Sequence, residues 1–153
     1  MKKRFLKNKE TRELAEKLSS LFGFSLDKKG SVHEAEIDGK KIIFSGDVPL
    51  IFWIDDRLVP TLKSGIVLPG VKVDKGAVKF VSSGADVMRP GIVGMDEFNE
   101  GDIVYVADSE HGVNLAVGEA LASSEEIERM KKGKVIKSLH FVGDKTWSLM
   151  TGL

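Results

Sequence analysis

The sequence predicts an α+β protein built from two small domains. Its first part combines one amphipathic helix with strand-like runs, which indicates a small α/β domain. Its second half is mostly short strands separated by turns about every 8 to 12 residues, a spacing typical of a small barrel. Prolines and glycines cluster between the two parts, so we place a domain boundary near residues 65–70.

The first domain begins with a basic arm and a helix. The arm carries five cationic residues, namely Lys2, Lys3, Arg4, Lys7 and Lys9. Such an arm is most often a solvated tail and less often a nucleic-acid contact. From about Asn8 to Phe22, apolar residues recur at helical spacing, and Gly23 stands where a helix C-cap is expected.

Strands are predicted after this helix. The segment VHEAEIDGKKIIF reads as two short strands joined by Asp38-Gly39, because both turn positions tolerate positive φ. PLIFWI is a third and more buried strand, and Asp55-Asp56 marks the turn after it. The next segment, VPTLKSGIVLPG, is predicted to be a short helix or an irregular crossing.

The second half contains three further strand segments and one capped helix. GDIVYVAD and VNLAVGEALA are predicted to form a hairpin across the polar loop 108–112. Ser123 and Glu126 form a capping box at the start of a helix. GKVIKSLHFVGD is the last long strand, and TWSLM closes the chain.

A helix at the start of the second half carries the most informative polar residues. Asp74 is its predicted N-cap, and Gly76 leaves the backbone of the first turn uncovered. Three apolar residues share an inward face: Ala77, Phe80 and Val81. The opposite face carries Lys75 and Lys79, with Ser82 or Ser83.

Two interpretations of this segment remain open from the residues alone. It is either a capped helix packed in the barrel, or a surface that grips a sugar-phosphate backbone. Gly84 ends the segment and lets another backbone come close, and Arg89-Pro90-Gly91 turns the chain nearby. Under the second interpretation Lys75, Lys79 and Arg89 contact phosphates.

Composition and motifs argue against several other functions. There are 23 basic and 23 acidic residues, so a generic polyanion binder is disfavoured, and residues 71–153 carry three more acids than bases. The absence of cysteine fits a reducing cytoplasm. His33, His111 and His140 lack zinc-helix spacing, and no nucleotide-binding or nucleophile motif is present. We therefore expect no metal, no cofactor and no catalysis.

Several motifs occur here in the order found in the PUA domain, an RNA-binding module. They are VKVDKGAVKFVSSGADVMRPGI, GDIVYVAD, NLAVGEALASSEEI and GKVIKSLHFVGDKTW. The first half, with PTLKSG leading into VLPGVKVDKGAVKF, resembles the pre-PUA region of the malignant T-cell-amplified-sequence translation factors. The resemblance implies a pre-PUA α/β domain over residues 1–68 and a six-stranded PUA pseudo-barrel over residues 69–153.

The resemblance also implies a site, partners and a location. The RNA surface carried over from PUA domains comprises Lys75, Gly76, Lys79, Ser83, Gly84, Ala85, Met88, Arg89 and Pro90, with Lys134 and Lys137 as additions from a late strand. The expected partners are rRNA or tRNA, the small ribosomal subunit and a second translation factor, in the cytoplasm and with no membrane. Two alternatives remain: a protein-interaction adaptor, and a trans-acting specificity subunit for an RNA-modification enzyme.

Overall fold

The computed structural model describes residues 2–152. Contacts between Cα atoms divide the chain into two compact units, Met1–Val67 and Leu68–Leu153, which are called unit 1 and unit 2 below. Met1 and Leu153, the outermost residues of the two predicted domains, lie outside the described residues.

Unit 1 is one antiparallel sheet with one long helix. Its elements are β1 (Lys2–Phe5), α1 (Asn8–Phe22), β2 (Val32–Ile37), β3 (Lys40–Ser45), β4 (Val48–Ile54) and β5 (Arg57–Pro60). The five strands lie in chain order, and each pairs with the next. The last three connections are two-residue turns, whereas the first contains α1.

Local sequence explains α1 and the β2–β3 hairpin. Leu14 and Leu18 bury the apolar stripe of α1, and Gly23 ends the helix in the left-handed conformation with φ of 62°. At the hairpin, Asp38 and Gly39 have φ of 51° and 78°, as a two-residue turn between twisted strands requires. The predictions for both elements are confirmed.

Two predictions in unit 1 are corrected, the first in full and the second in part. Residues 2–5 do not belong to a solvated tail: they form the edge strand β1, paired with β2 from Lys2↔Glu36 to Phe5↔His33. Val59 and Pro60, the first residues of the predicted helix or crossing, belong to the edge strand β5, whereas residues 61–69 are irregular, in line with a crossing. Both strands have only four residues, too few for alternation to be detected, and both depend on a neighbouring strand for their hydrogen bonds.

Unit 2 is a curled half-barrel with short helices. Its elements are β6 (Gly70–Val73), α2 (Lys75–Val81), β7 (Val87–Met88), a single 3-10 turn (Arg89–Gly91), β8 (Ile92–Met95), β9 (Ile103–Asp108), β10 (Asn114–Ala120), α3 (Ser124–Arg129), β11 (Lys134–Phe141) and α4 (Lys145–Thr151). The six strands are ordered β7-β11-β10-β9-β6-β8, and β6 runs parallel to β9. The predicted α+β class with a six-stranded pseudo-barrel is confirmed.

The curl of this sheet depends on a close approach between β10 and β11. The pairing shifts register between Val117 and Gly118. A Cβ atom added to Gly118 would lie 2.4 Å from Cγ2 of Ile136 and 2.8 Å from the carbonyl oxygen of Lys137. Only glycine fits there, which lets the strands bend around a core that includes Val104, Val106 and Ile136.

The closing segment of unit 2 is the helix α4. Asp144 is its N-cap and accepts a hydrogen bond from the Trp147 N–H at 2.7 Å. The same carboxylate lies 2.9 Å from Nδ1 of the fully buried His140. Burial by itself raises the pKa of Asp144, but these contacts outweigh it and hold the pKa below its usual value.

Within residues 2–152 no helix has both the length and the apolar character needed to cross a bilayer.

Candidate nucleic-acid interface

The helix α2 is positioned by its N-cap and by its inward residues. The Asp74 carboxylate accepts a hydrogen bond from the Ala77 N–H at 2.9 Å, as predicted. Val81 is buried, and Ala77 and Val78 pack against the unit 2 core. The remaining residues of α2 are exposed: Lys75, Gly76, Lys79 and Phe80. The outer surface of the helix therefore combines two cationic side chains with an aromatic one.

Phe80 departs from the predicted inward face. Its side chain is 57% exposed, so the prediction that it packs with Ala77 and Val81 is wrong. The helix α2 has only seven residues, or about two turns. Over so short a helix, the spacing of apolar residues in the sequence does not show whether all three face the core or one of them faces solvent. The Lys79 ammonium lies over the Phe80 ring, 5.2 Å from its centroid.

One side of α2 borders an open, mainly apolar groove of about 530 Å³, called the α2–β7 groove below. Its lining includes five of the predicted RNA-binding residues: Gly76, Ala85, Met88, Pro90 and Lys134. Phe80 and Met88 supply exposed apolar surface, with 57% and 51% exposure. A groove of this kind suits a flat apolar group with a few polar edges.

Two glycines allow close approaches near this groove, and one of them, Gly91, lines it. A Cβ atom on Gly91 would lie 3.0 Å from that of Ala77, so the 3-10 turn approaches α2 closely. Gly84 has φ of 97°, and an added Cβ would lie 2.7 Å from the Phe141 ring. Position 84 therefore requires glycine, both because its φ is positive and because a Cβ atom would clash with the Phe141 ring.

The polar group of the groove is an ion pair between Asp86 and Lys134. Lys134 Nζ lies 2.9 Å from the Asp86 carboxylate, which also accepts a hydrogen bond from the Ser138 N–H at 2.7 Å. Burial raises the pKa of Asp86, but the Ser138 N–H and the Lys134 ammonium outweigh it and hold the pKa below its usual value. Sequence reasoning missed Asp86, since its partners come about fifty residues later.

The other side of α2 borders a smaller depression of about 250 Å³, called the lysine depression. Lys75, Val78 and Lys79 line it from the helix, and the loop from Asp108 to His111 lines it from the barrel. The Asp108 carboxylate is occupied within that loop, where it accepts from the N–H groups of His111 and Val113. These bonds, led by that of His111, hold the pKa of Asp108 below its usual value.

Four other predicted residues line neither depression: Ser83, Gly84, Arg89 and Lys137. Arg89 is committed to the backbone: its Nε donates to the carbonyl oxygens of Ile127 at 2.7 Å and Met130 at 3.1 Å. It thus satisfies carbonyls at the C-terminal end of α3, a position that favours a cation. Ser83 donates its hydroxyl to the Lys79 carbonyl at 2.7 Å, and Lys137 is exposed on β11 opposite Glu119.

The structure therefore divides the predicted set around one helix. Five residues line the α2–β7 groove and two line the lysine depression, whereas Arg89 has a structural role that its sequence position did not reveal. RNA binding by the eleven residues remains a prediction.

Comparison with known proteins places both parts of the chain in described families. Residues 69–142 match the model of the PUA domain. Residues 2–64 match the model described as domain of unknown function DUF1947. The fold is thus that of a PUA-domain protein with an N-terminal pre-PUA region.

Relatives extend this likeness over most of the chain. An uncharacterized protein of Methanocaldococcus jannaschii is 42% identical and covers 96% of both chains. Translation machinery-associated protein 20 of Saccharomyces cerevisiae is 32% identical, over 86% of this chain and 80% of that protein. Malignant T-cell-amplified sequence 2 of Homo sapiens is 38% identical, over 60% of this chain and 55% of that protein.

A solved structure agrees with these relatives. A PUA-domain protein of Aeropyrum pernix, in complex with tartrate, superimposes with a TM-score of 0.89 at 30% identity, covering 98% of this chain and 91% of that chain. The chain belongs to the family of pre-PUA and PUA proteins that includes translation machinery-associated protein 20.

Proposed function

We propose that this protein is a noncatalytic RNA-binding protein of the translation apparatus. Its RNA surface is α2 with the α2–β7 groove and the lysine depression, and its target is the small ribosomal subunit or the acceptor end of tRNA. The family supports a role in translation, since three of the relatives are named for the translation machinery. The cytoplasm is the location that this role requires.

The observation that carries the proposal is the pairing of two kinds of surface across one helix. The groove offers exposed Phe80 and Met88, on which a base can stack, while Lys75 and Lys79 on the other side offer cations to phosphates. Bases and phosphates alternate along an RNA strand, so a strand that crosses α2 uses both sides.

Charge limits the strength of this contact. Residues 71–153 carry 10 basic and 13 acidic side chains, so long-range attraction to RNA is weak and the local lysines dominate. Affinity for isolated RNA is then moderate and salt-sensitive, as suits a factor held on a ribosome by several contacts.

The test compares two double charge reversals of equal size. Binding of the full chain to a labelled tRNA transcript and to purified small ribosomal subunits is measured at moderate salt. Lys75→Glu with Lys79→Glu is expected to weaken binding at least tenfold, whereas Lys28→Glu with Lys29→Glu in unit 1 leaves it within about twofold. Absence of wild-type binding to either probe, or an equal loss in both variants, contradicts the proposal.

A second candidate function is a protein-interaction adaptor, favoured by a groove in unit 1. This groove of about 230 Å³ lies between α1 and the sheet, and its lining includes Trp53, which is 38% exposed. A second translation factor is the partner proposed for it. Trp53→Ala is expected to abolish co-purification of such a partner after nuclease treatment without affecting tRNA binding, which separates this function from the first.

A further inference from the structure

A second exposed cationic surface lies in unit 1, on β1 and the first turn of α1. All four residues of β1 are exposed, and so are Lys7 and Lys9 beyond it. We use the term strand surface for four of these side chains: Lys3, Phe5, Lys7 and Lys9. Residues 1–70 as a whole carry 13 basic and 10 acidic side chains, the opposite balance to residues 71–153.

The strand surface is held in place by Arg4 and Glu10. Arg4 donates two hydrogen bonds to the Glu10 carboxylate, at 2.8 and 3.0 Å, and the Lys7 N–H donates a third at 3.0 Å. The Arg4 contact, followed by the Lys7 N–H, lowers the pKa of Glu10 to about 2, so this carboxylate stays charged. The strand and the helix start are therefore joined through Arg4 and Glu10.

These lysines are available to a partner. Within residues 2–152, Lys3, Lys7 and Lys9 form no ion pair, whereas Arg4 is occupied by Glu10 and Glu34. The carboxylates of Glu10 and Glu34 thus form their ion pairs with Arg4, and Lys7 interacts with Glu10 only through longer-range attraction. A lysine outside an ion pair can neutralise a phosphate, and this contact releases the counterions condensed on the nucleic acid.

Phe5 adds an exposed aromatic ring to the lysines. Its side chain is 59% exposed, and the Lys3 ammonium lies 5.2 Å from the ring centroid. Inside, Phe5 contacts His33 at 5.6 Å between centroids, and His33 stacks on Phe44 at 5.2 Å. Phe5 is the outer member of a supported aromatic stack, which fixes the ring while leaving much of it uncovered.

Protection of an edge strand does not account for this arrangement. Lysines on an edge strand discourage pairing with other sheets, but an exposed phenylalanine beside them has the opposite effect. Lys7 and Lys9 lie outside the strand and protect no edge. An exposed aromatic ring among cations is the combination that binds single-stranded nucleic acid.

We propose that the strand surface is a second RNA contact, in which Phe5 stacks on an unpaired base while Lys3, Lys7 and Lys9 contact phosphates. This inference rests on the proposed function, because it extends an RNA-binding role from unit 2 to unit 1. Charge complementarity identifies the partner: the surface offers three cations and an aromatic ring, and an RNA strand offers phosphates and bases.

The experiment measures the salt dependence of binding to a labelled tRNA transcript between 50 and 200 mM KCl. The strand variant replaces Lys3, Lys7 and Lys9 by Gln, and its control replaces Lys17, Lys28 and Lys29 by Gln, with the same loss of charge. For three phosphate contacts the slope of log K against log salt becomes shallower by about 2, whereas the control keeps the wild-type slope. Phe5→Leu is expected to weaken binding at least about fivefold with no change of slope.

The outcomes separate this inference from the proposed function. Equal slopes for the strand variant and its control would show that the strand surface does not bind RNA. An acidic protein would then be the expected partner of its lysines. If the wild-type chain binds no RNA, both proposals fail. If the α2 reversal abolishes binding and the strand variant retains the wild-type slope, only this inference fails. Thermal unfolding at the wild-type temperature checks that each variant is folded.

Discussion

The two sides of α2 differ in what makes them suitable for RNA. The α2–β7 groove depends on shape: Gly91 lets the 3-10 turn approach Ala77 of α2, and the ring of Phe80 forms part of the wall. The lysine depression depends on charge, since Lys75 and Lys79 lie beside a loop whose Asp108 is already hydrogen-bonded. A substitution on the groove side therefore alters packing or stacking, while one on the lysine side alters the response to salt.

The largest effect is expected from Gly84→Ala. The new Cβ meets the Phe141 ring, and φ of 97° strains any L-residue, so stability should fall by about 2–4 kcal/mol. Gly101→Ala is the matched control, because Gly101 has φ of 89° but no atom within 4 Å of an added Cβ. Its expected loss is about 1–2 kcal/mol. Denaturant unfolding measures both, and equal losses would show that the Phe141 contact contributes nothing.

Phe80→Ala should separate binding from stability. The side chain is 57% exposed, so the free energy of unfolding is expected to change by less than about 1 kcal/mol. RNA affinity should fall by about 1–3 kcal/mol if a base stacks on the ring. Val93→Ala removes a similarly exposed apolar side chain on β8, outside the groove, and should leave affinity unchanged. A fall of the same size in both variants argues against stacking.

Lys75→Gln with Lys79→Gln should change mainly the salt dependence. Two lost phosphate contacts make the slope of log K against log salt shallower by about 1.4, so wild type and variant converge at high salt. The loss should be similar for RNAs of different sequence, because phosphates carry no sequence information. A strong dependence on RNA sequence would instead assign the lysines to base recognition.

Asp86→Asn is expected to give the smallest change in the free energy of unfolding, and the size of this change should depend on pH. The folded-state pKa of Asp86 lies below its unfolded value, so its contribution to stability is present above about pH 4 and is lost as pH falls through the folded pKa. The difference in unfolding free energy between wild type and variant should therefore shrink below about pH 4. A difference that stays constant from pH 7 to pH 3 would show that the carboxylate charge is not involved.

Local signals in the sequence were sufficient for elements set by adjacent residues. The caps at Asp74 and Ser123 and the turn at Asp38-Gly39 form where predicted, because each uses backbone groups within three residues. The order of motifs along residues 69–153 also identifies the PUA class from the sequence alone.

Long-range partners explain what the sequence left undetermined. Strand β1 looked like a solvated tail because its hydrogen bonds go to β2, about thirty residues later. Arg89 looked available for phosphate because the carbonyls that it caps belong to α3, 38 and 41 residues along the chain. Phe80 looked buried because two helical turns do not define a face without the barrel beneath them.

By itself, then, the sequence determined the fold class, the local caps and turns, and the family with its RNA-binding expectation. Only the tertiary structure decided which predicted residues share a surface. Met88, Pro90 and Lys134 line one groove, and the α2 lysines line the depression on the other side of the helix. Arg89 instead donates hydrogen bonds to backbone carbonyls. The physical reason is distance along the chain. Capping and turn formation are satisfied within one turn, whereas a groove or a buried cation needs partners that folding brings from elsewhere.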